Sequence, residues 1–450
     1  MTENIIQKII AFGTDGIRGC ADEFPFTNQA LYALGRAIAA WAQTVYNKPN
    51  PQFLIGMDTR ESGPRIKASL CHGMLDQGAF VLDGGVITTP AVYHLIFYNT
   101  GFDAGIVISA SHNPYKDNGI KIFDATHCKL SPDDERLISL NFERFLTHED
   151  NDHHKPSLWL DAGHTYQQKV LSLFPANFLK KVNVVLDCAN GAASEHAPAI
   201  FKALGANVFS IAHEPNGTNI NQHCGSLHPE ALIDAVKRHG ANCGFAFDGD
   251  SDRVIAVTHH GHLKDGDEML ALLSQHPAYL TVPKIVGTIM TNQGFEEYLK
   301  QQNRQLIRAN VGDKYVAAKL KEENLPLGGE QTGHILIRDY LATGDGIFAA
   351  LKILETIIEN KNWEMKTFEK FPQVLVNVPV IQKKDLSLNP FSQIIKNHEE
   401  KITAGRILVR YSGTENLLRV MTEATTHHEA ETLAHRLAFE LQEALRQASL

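Results

Sequence analysis

Three times along this chain an apolar run of strand length breaks off into a polar, glycine-rich loop, with helical sequence between the runs. That order constrains the fold more than any other feature, because strands alternating with helices pack as βαβ units on a sheet the helices cover. The first set is FLIGMD (53–58), AFVLDGG (79–85) and AGIVISAS (104–111), read here as a parallel sheet. Ahead of it Leu31, Leu34, Ile38, Trp41 and Val45 fall at helical spacing and predict one buried helix face. The second set starts at VNVVLDCANGA (182–192) and leads to ANCGFAFDGDSDRVIAV (241–257). The third starts at KIVGTIMTN (284–292) and ends in GGEQTGH (328–334). In open α/β sheets a ligand lies beyond the carboxyl ends of the strands, where such loops gather. From about Phe371 the character changes: FPQVLVNVPVIQ and GRILVRYSGTENLLRVMTEAT read as antiparallel strands, and Leu433, Leu437 and Leu441 mark a closing helix. The expected domains are 1–155, 156–258, 259–370 and 371–450. A length of 450 residues, 43% hydrophobic and 21% charged, supports several cores and carries no disorder signature.

The carboxylates of Asp248, Asp250 and Asp252, in FDGDSDR, carry the clearest chemistry. Three negative charges packed so closely repel one another unless a cation holds them, and oxygen ligands suit magnesium. The alternatives are a solvated acidic loop or a calcium loop, but the calcium pattern needs a Glu at its twelfth position, where this chain has His259. Arg253 either neutralises these aspartates or reaches a phosphate beside them.

Ser111, at the break in ISASHNPYKDNGIKIF, is either a turn residue or a nucleophile presented at a loop tip. The Gly-x-Ser-x-Gly elbow of hydrolases is absent, which leaves phosphoryl transfer through a phosphoserine. Lys121 is a solvated cation unless burial or neighbouring cations lower its pKa, in which case it moves protons. The stretch RYSGTENLLR (410–419) is either a hairpin turn with flanking charges or a phosphate cradle.

Net charge of −9, from 51 acidic and 42 basic residues, argues against general nucleic-acid binding and permits a local cationic pocket. No two of the six cysteines lie closer than Cys224 and Cys243, so no paired metal or redox spacing exists. The start of the sequence lacks the apolar core of a signal peptide and no run reaches membrane-spanning length. A reduced, cytoplasmic protein without membrane or nucleic-acid partners is therefore expected.

Five motifs, FGTDGIRG (12–19), SASHNPYKDNGIK (109–121), FDGDSDR (247–253), GGEQTGH (328–334) and RYSGTENLLR (410–419), stand in the order of the α-D-phosphohexomutases. The chain resembles that family along essentially its whole length. DCANGA, EPNGTNIN, VGDKYV and ATGDGI are similar to its bacterial phosphoglucosamine mutase branch. The resemblance implies three similar α/β mixed-sheet domains around a central cleft and a smaller C-terminal α+β domain that closes over the sugar. It implies that Ser111 carries the phosphoryl group and joins Asp248, Asp250 and Asp252 as ligands of one Mg²⁺. By the same resemblance Lys121 is the general acid/base, Arg18 and Arg253 lie near the phosphoserine, and His334 lies near the reacting end of the sugar. Gly329, Glu330 and Thr332 match the loop that reads sugar hydroxyls. Arg410, Ser412, Gly413, Thr414 and Arg419 match the loop that grips the phosphate not being transferred.

The implied reaction interconverts glucosamine 6-phosphate and glucosamine 1-phosphate through a hexosamine or hexose bisphosphate, with glucose or mannose phosphates as the alternative. The implied partner is that small molecule, and a homodimer is one expectation for the assembly. Ser251, Thr332, Tyr411 and Asn416 depart from the residues common in the branch, where Gly, Ser, Lys and Pro are usual, and bear on sugar choice rather than on reaction class.

Overall fold

The computed structural model describes residues 10–13, 15–99, 101–124, 129–146, 155–412 and 416–448. The chain divides into two compact units, residues 1–281 with 312–366 and residues 282–311 with 367–450.

The first unit holds two mixed sheets built on one plan. In the first, Phe80–Val86, Gln52–Met57 and Ala104–Ile108 run parallel, and Asp117–Asp124 then returns antiparallel to Ala104–Ile108. Ile17–Cys20 extends that edge, and Ser157–Leu158 extends the other. In the second, Asn207–Ile211, Asn183–Asp187 and Cys243–Phe247 are parallel, and Val254–Thr258 returns antiparallel to Cys243–Phe247. A third hairpin, Leu327–Gly329 against Ile335–Ile337, repeats the antiparallel return. The three strands read as parallel do run parallel, and the antiparallel return makes each sheet mixed, as the resemblance implies. A parallel neighbour needs a crossover of a dozen or more residues, and the link from Ile108 to Asp117 is too short for one.

The helix predicted from Leu31 onward runs Asn28–Tyr46, with Thr27 accepting from the Ala30 amide. Leu31, Leu34, Ile38 and Trp41 are buried as expected, but Val45 is 48% exposed in the last turn, where the helix runs past the domain core. Helix and strand side chains, among them Phe53, Ile106, Ile120, Leu70 and Phe142, form one continuous core. Strand Ala104–Ile108 is buried at every position, as a run covered on both faces must be.

In the second unit Lys284–Thr288 pairs in parallel with Gln305–Ala309. The C-terminal sheet is antiparallel, with Leu417–Ala424 between Gln373–Pro379 and Gly405–Tyr411. Leu437 and Leu441 of helix His427–Gln447 pack on Leu418 and Val420. Glu423, wholly buried, pairs with Arg406, which also donates to the carbonyls of Ile289 and Thr291 and so ties the two parts of this unit together.

Among the described residues no helix is long and apolar enough to cross a membrane. Cys20, Cys71, Cys188, Cys224 and Cys243 are free thiols.

Candidate active site

Ser111 follows the last parallel strand of the first sheet and has φ of 53°, a left-handed conformation that costs a residue with a Cβ. Several bonds hold it there. Its amide donates to Ser109 Oγ at 2.9 Å, and its carbonyl accepts from Arg60 Nη2 at 3.0 Å and Asn221 Nδ2 at 2.8 Å. The hydroxyl is 1% exposed and donates to Asp248 Oδ2 at 2.5 Å.

Asp248 opens the corresponding loop of the second sheet, between Cys243–Phe247 and Val254–Thr258. The two loops touch so closely that a Cβ on Gly249 would lie 2.6 Å from the Ser111 carbonyl oxygen, so no larger residue fits there. Asp248, Asp250 and Asp252 are buried, with one carboxylate oxygen of each inside a 4.8 Å group. Burial and then the charges of Asp252 and Asp250 push the Asp248 carboxyl well above its ordinary range. Burial also raises Asp252, but Lys121 and His334 outweigh it and hold that carboxyl well below.

A hard divalent cation fits this donor set. All donors are oxygens, and Asp250 Oδ1 and Asp252 Oδ1 are buried with no hydrogen-bond partner among the described residues, an arrangement an ion would satisfy.

Lys121, on strand Asp117–Asp124, lies 2.7 Å from Asp250 Oδ2, 2.8 Å from Asp252 Oδ2 and 2.9 Å from Asp15 Oδ2. Burial pulls its pKa down, but Asp15, Asp250 and Asp252 outweigh burial and hold the amine well above its ordinary value. The lowering that burial alone suggests is therefore reversed by three carboxylates. Arg18 donates to Asp15 Oδ2 at 2.6 Å, and Lys129 bridges Asp15 and Asp313. His334 Nδ1 is 3.7 Å from Asp252 Oδ1, and its Nε2 is 3.5 Å from Asp313 Oδ2. Burial lowers the His334 pKa, yet Asp252 and Asp313 raise it further than burial lowers it. The Gly344 amide, 3.2 Å from Nε2, favours the tautomer whose proton sits on Nδ1, facing Asp252. Arg253 Nε lies 3.9 Å from Asp252 Oδ1. His112, beside Ser111, is driven down to about 3 by burial and by Arg253 and Arg18.

Gly329 and Glu330 are buried where the third hairpin turns, and Thr332 is exposed at its tip. Glu330 Oε1 accepts from the Gly312 amide at 2.8 Å. This hairpin therefore delivers His334 to Asp252, so three hairpin loops of the first unit converge.

In the second unit, Arg410 and Arg419 are direct cross-strand partners. Like charges opposite one another are unfavourable without an anion between them, and burial and then Arg419 lower the Arg410 pKa. The Ser412 amide closes the hairpin on the Leu417 carbonyl at 2.8 Å. Gly413 and Thr414 lie outside the described residues.

Sequence models of the phosphoglucomutase/phosphomannomutase α/β/α domains I, II and III match residues 10–147, 164–261 and 265–373, and that of the C-terminal domain matches 369–439. A phosphoglucosamine mutase of Citrifermentans bemidjiense is 40% identical over 445 residues, 95% of this chain and 96% of the relative. The chain belongs to the phosphoglucomutase/phosphomannomutase family. Another member, the phosphoglucosamine mutase of Acinetobacter baylyi, is 43% identical over 434 residues, 95% of this chain and 98% of its own. A family structure from Burkholderia thailandensis shares the fold at a TM-score of 0.79 and 22% identity, covering 98% of each chain. Aspergillus fumigatus N-acetylphosphoglucosamine mutase, in complex with GlcNAc-6P and magnesium, superposes at 0.67 with 17% identity over 97% of this chain and 96% of that one.

Several residues of the site escape a reading of the sequence. Arg60 is fully buried, pairs with Asp58 at 2.9 Å and fans out to the carbonyls of Ser111, Asn113, Pro114 and Asp117, so it fixes the whole serine loop. Thr89 donates to Asp250 Oδ2 at 2.5 Å from the first turn of its helix. Asp15, Lys129 and Asp313 form a bridge from three distant segments.

Proposed function

We propose that this protein catalyses the phosphoglucosamine mutase reaction, moving a phosphoryl group between O6 and O1 of glucosamine phosphate. The observation that carries the reading is the Ser111 hydroxyl on Asp248 inside a buried triad of aspartates with Lys121 at its edge. In the proposed cycle Ser111 starts as a phosphoserine. The free hydroxyl oxygen of the sugar forms a bond to its phosphorus, the bond from phosphorus to Ser111 Oγ breaks, and a sugar bisphosphate results. The bisphosphate then turns over and returns its other phosphoryl group to Ser111, so no net phosphate is consumed.

Lys121 and His334 carry the hydroxyl proton in each half, since a group that gives it up in one direction takes it back in the other; for Lys121 this requires that a cation held by Asp250 and Asp252 relieve the carboxylate charges that otherwise keep the amine protonated. Arg18 and Arg253 clamp the phosphoryl oxygens. Gly329, Glu330 and Thr332 read the sugar hydroxyls, and Arg410, Ser412, Gly413, Thr414 and Arg419 hold the phosphate that stays. Asp248, Asp250, Asp252 and the Ser111 oxygen would hold magnesium, which when bound would neutralise charge on the transferred group.

Support for the amino sugar comes from the full-length relatives named phosphoglucosamine mutase. The test is turnover of magnesium-loaded protein on glucosamine 6-phosphate, glucose 1-phosphate and mannose 1-phosphate, primed with a hexose bisphosphate and followed for free phosphate. A strong preference for the glucosamine substrate without phosphate release is expected. Equal or better turnover of glucose or mannose phosphate would assign Ser251, Thr332 and Asn416 to a different sugar, and steady phosphate release at the rate of turnover would mean a phosphatase.

A further inference from the structure

Away from the aspartates, the turn between strands Val254–Thr258 and Leu263–Lys264 carries two adjacent histidines, His259 and His260. The turn is tightly pinned: the Thr258 amide donates to the His262 carbonyl at 2.9 Å, the Gly261 amide to the Thr258 carbonyl at 2.8 Å, and the His262 amide to Thr258 Oγ1 at 3.1 Å. Facing it is Glu364, in the segment that follows helix Gly346–Asn360. That segment is also fixed, since the Met365 amide donates to the Asn362 carbonyl at 2.9 Å and the Lys366 amide to Asn362 Oδ1 at 3.0 Å, with Met365 buried.

His259 Nε2 lies 3.5 Å from Glu364 Oε1, and His260 Nε2 lies 3.5 Å from Glu364 Oε2. One donor atom from each of the three residues falls inside a 4.8 Å group. A separation of 3.5 Å is long for an N–H···O bond. Each imidazole thus stands 3.5 Å from its own oxygen of the Glu364 carboxylate, close to the roughly 3.3–3.6 Å between neighbouring ligand atoms that bonds of about 2.0–2.2 Å produce, and small side-chain rotations would bring the 4.8 Å group onto one ion.

We infer that His259, His260 and Glu364 form a second metal site, for a borderline divalent transition ion of the zinc class. Two imidazoles with one carboxylate select such an ion over magnesium or calcium, which prefer oxygen alone. All three side chains reach solvent, which gives the ion a way in and leaves a coordination position for water.

The location gives the site a consequence. Strand Val254–Thr258 begins directly after Asp252 and Arg253, and helix Gly346–Asn360 begins where the Gly346 amide donates to the Ser251 carbonyl at 2.9 Å. Both elements therefore start on the aspartate loop and end at the histidine turn or just before Glu364. An ion there clamps their far ends together and stabilises the folded chain by binding it in preference to the unfolded one.

The test uses full-length protein stripped with a chelator and then held in excess Mg²⁺, which occupies the oxygen site. Zn²⁺ titrated calorimetrically should bind at one equivalent per chain and raise the thermal midpoint. Co²⁺ should give the visible absorption of a tetrahedral nitrogen and oxygen site. The His259→Ala/His260→Ala double variant should bind Zn²⁺ at least tenfold more weakly and lose the midpoint rise, while its magnesium-dependent turnover and its zinc-free midpoint match the parent. Glu364→Gln should weaken Zn²⁺ independently. Absence of Zn²⁺ binding by the parent protein, or undiminished binding by both variants, would overturn the inference.

Discussion

Ser111 Oγ donates to Asp248 Oδ2 at 2.5 Å, joining the ends of two strands that occupy the same place in two different sheets. In each sheet the loop leaves the last parallel strand and returns antiparallel, so it cannot be covered by a crossover helix and its tip is free to meet the other. The nucleophile and its acidic partner are therefore brought together by a repeated topology rather than by nearness in sequence. Replacing Ser111 by Ala removes the hydroxyl that bonds Asp248. We expect the Ser111→Ala variant to stay folded with a thermal midpoint lowered by a few degrees at most, to lose turnover by at least about three orders of magnitude, and to show no phosphoprotein by intact-mass measurement. Full turnover by the folded variant would sink the phosphoserine scheme.

Arg60 is the residue on which the serine loop hangs. Its guanidinium neutralises Asp58, whose carboxyl burial pushes up and Arg60 and Ser109 pull back, and it satisfies loop carbonyls that have left the strand ladder. Arg60→Ala leaves Asp58 buried and unpaired and should cost about 3–5 kcal/mol in denaturant unfolding. Arg60→Lys keeps the charge but not the fork, so it should recover part of the stability and little of the activity. A lysine variant with normal turnover would show that the carbonyl fan is unimportant.

What could be read from the sequence was what is local. The face of the helix Asn28–Tyr46 follows from side-chain spacing, and the aspartate loop from charges too close to stand alone. The parallel order of FLIGMD, AFVLDGG and AGIVISAS is legible in their apolar runs and helical spacers, whereas the antiparallel return depends on the length of the link after Ile108 and is implied only by the family resemblance. The Arg60 fan was invisible because its partners are backbone carbonyls, which have no sequence signature. The Lys121 environment was misjudged for a related reason: Asp15 precedes it and Asp250 and Asp252 follow it at long range, so burial was foreseeable and the carboxylates around it were not.

Ser251 stands where the family resemblance implies a Gly, and the backbone explains why Gly suits the position. Its φ is 61°, in the left-handed region, and its buried hydroxyl has no hydrogen-bond partner among the described residues. Ser251→Gly removes both the Cβ strain and the unsatisfied oxygen, offset by the greater freedom of Gly in the unfolded chain. A gain of about 1 kcal/mol in stability is expected, and the sugar-preference ratios of the two proteins report whether the hydroxyl also matters to substrate choice. A less stable glycine variant would show that the hydroxyl is satisfied in solution.

Arg419, opposite Arg410 across the C-terminal hairpin, belongs to binding rather than chemistry in the proposed cycle. Losing one charge-assisted bond to a phosphate costs about 1.5–3 kcal/mol. Arg419→Ala should therefore raise KM for the sugar phosphate roughly 10- to 100-fold and leave kcat within a few-fold. A fall in kcat at unchanged KM would move Arg419 from gripping the substrate to the reacting phosphoryl group.

Asp345 caps helix Gly346–Asn360, accepting from the Phe348 amide at 2.9 Å and from the hydroxyls of Tyr166 at 2.8 Å and Tyr340 at 3.1 Å. Burial nevertheless raises its carboxyl from 3.8 to about 6, the hydrogen bonds pulling the other way. Below 3.8 the group is protonated in both states and contributes no pH dependence. As pH rises from there to about 6 the unfolded chain ionises first, so unfolding releases a proton and stability falls. Above that window the penalty is constant, about 3 kcal/mol for a shift of this size. An amide cannot ionise, keeps an oxygen for the Phe348 amide and offers hydrogens to the tyrosine oxygens. Asp345→Asn should therefore gain about 2.5 kcal/mol relative to the parent between pH 4 and pH 8, with the other titrating groups cancelling in the difference. The measurement is the pair of denaturation midpoints across that range; a difference independent of pH would mean that Asp345 is ionised in the folded protein throughout, with its two tyrosine bonds strong enough to defeat burial.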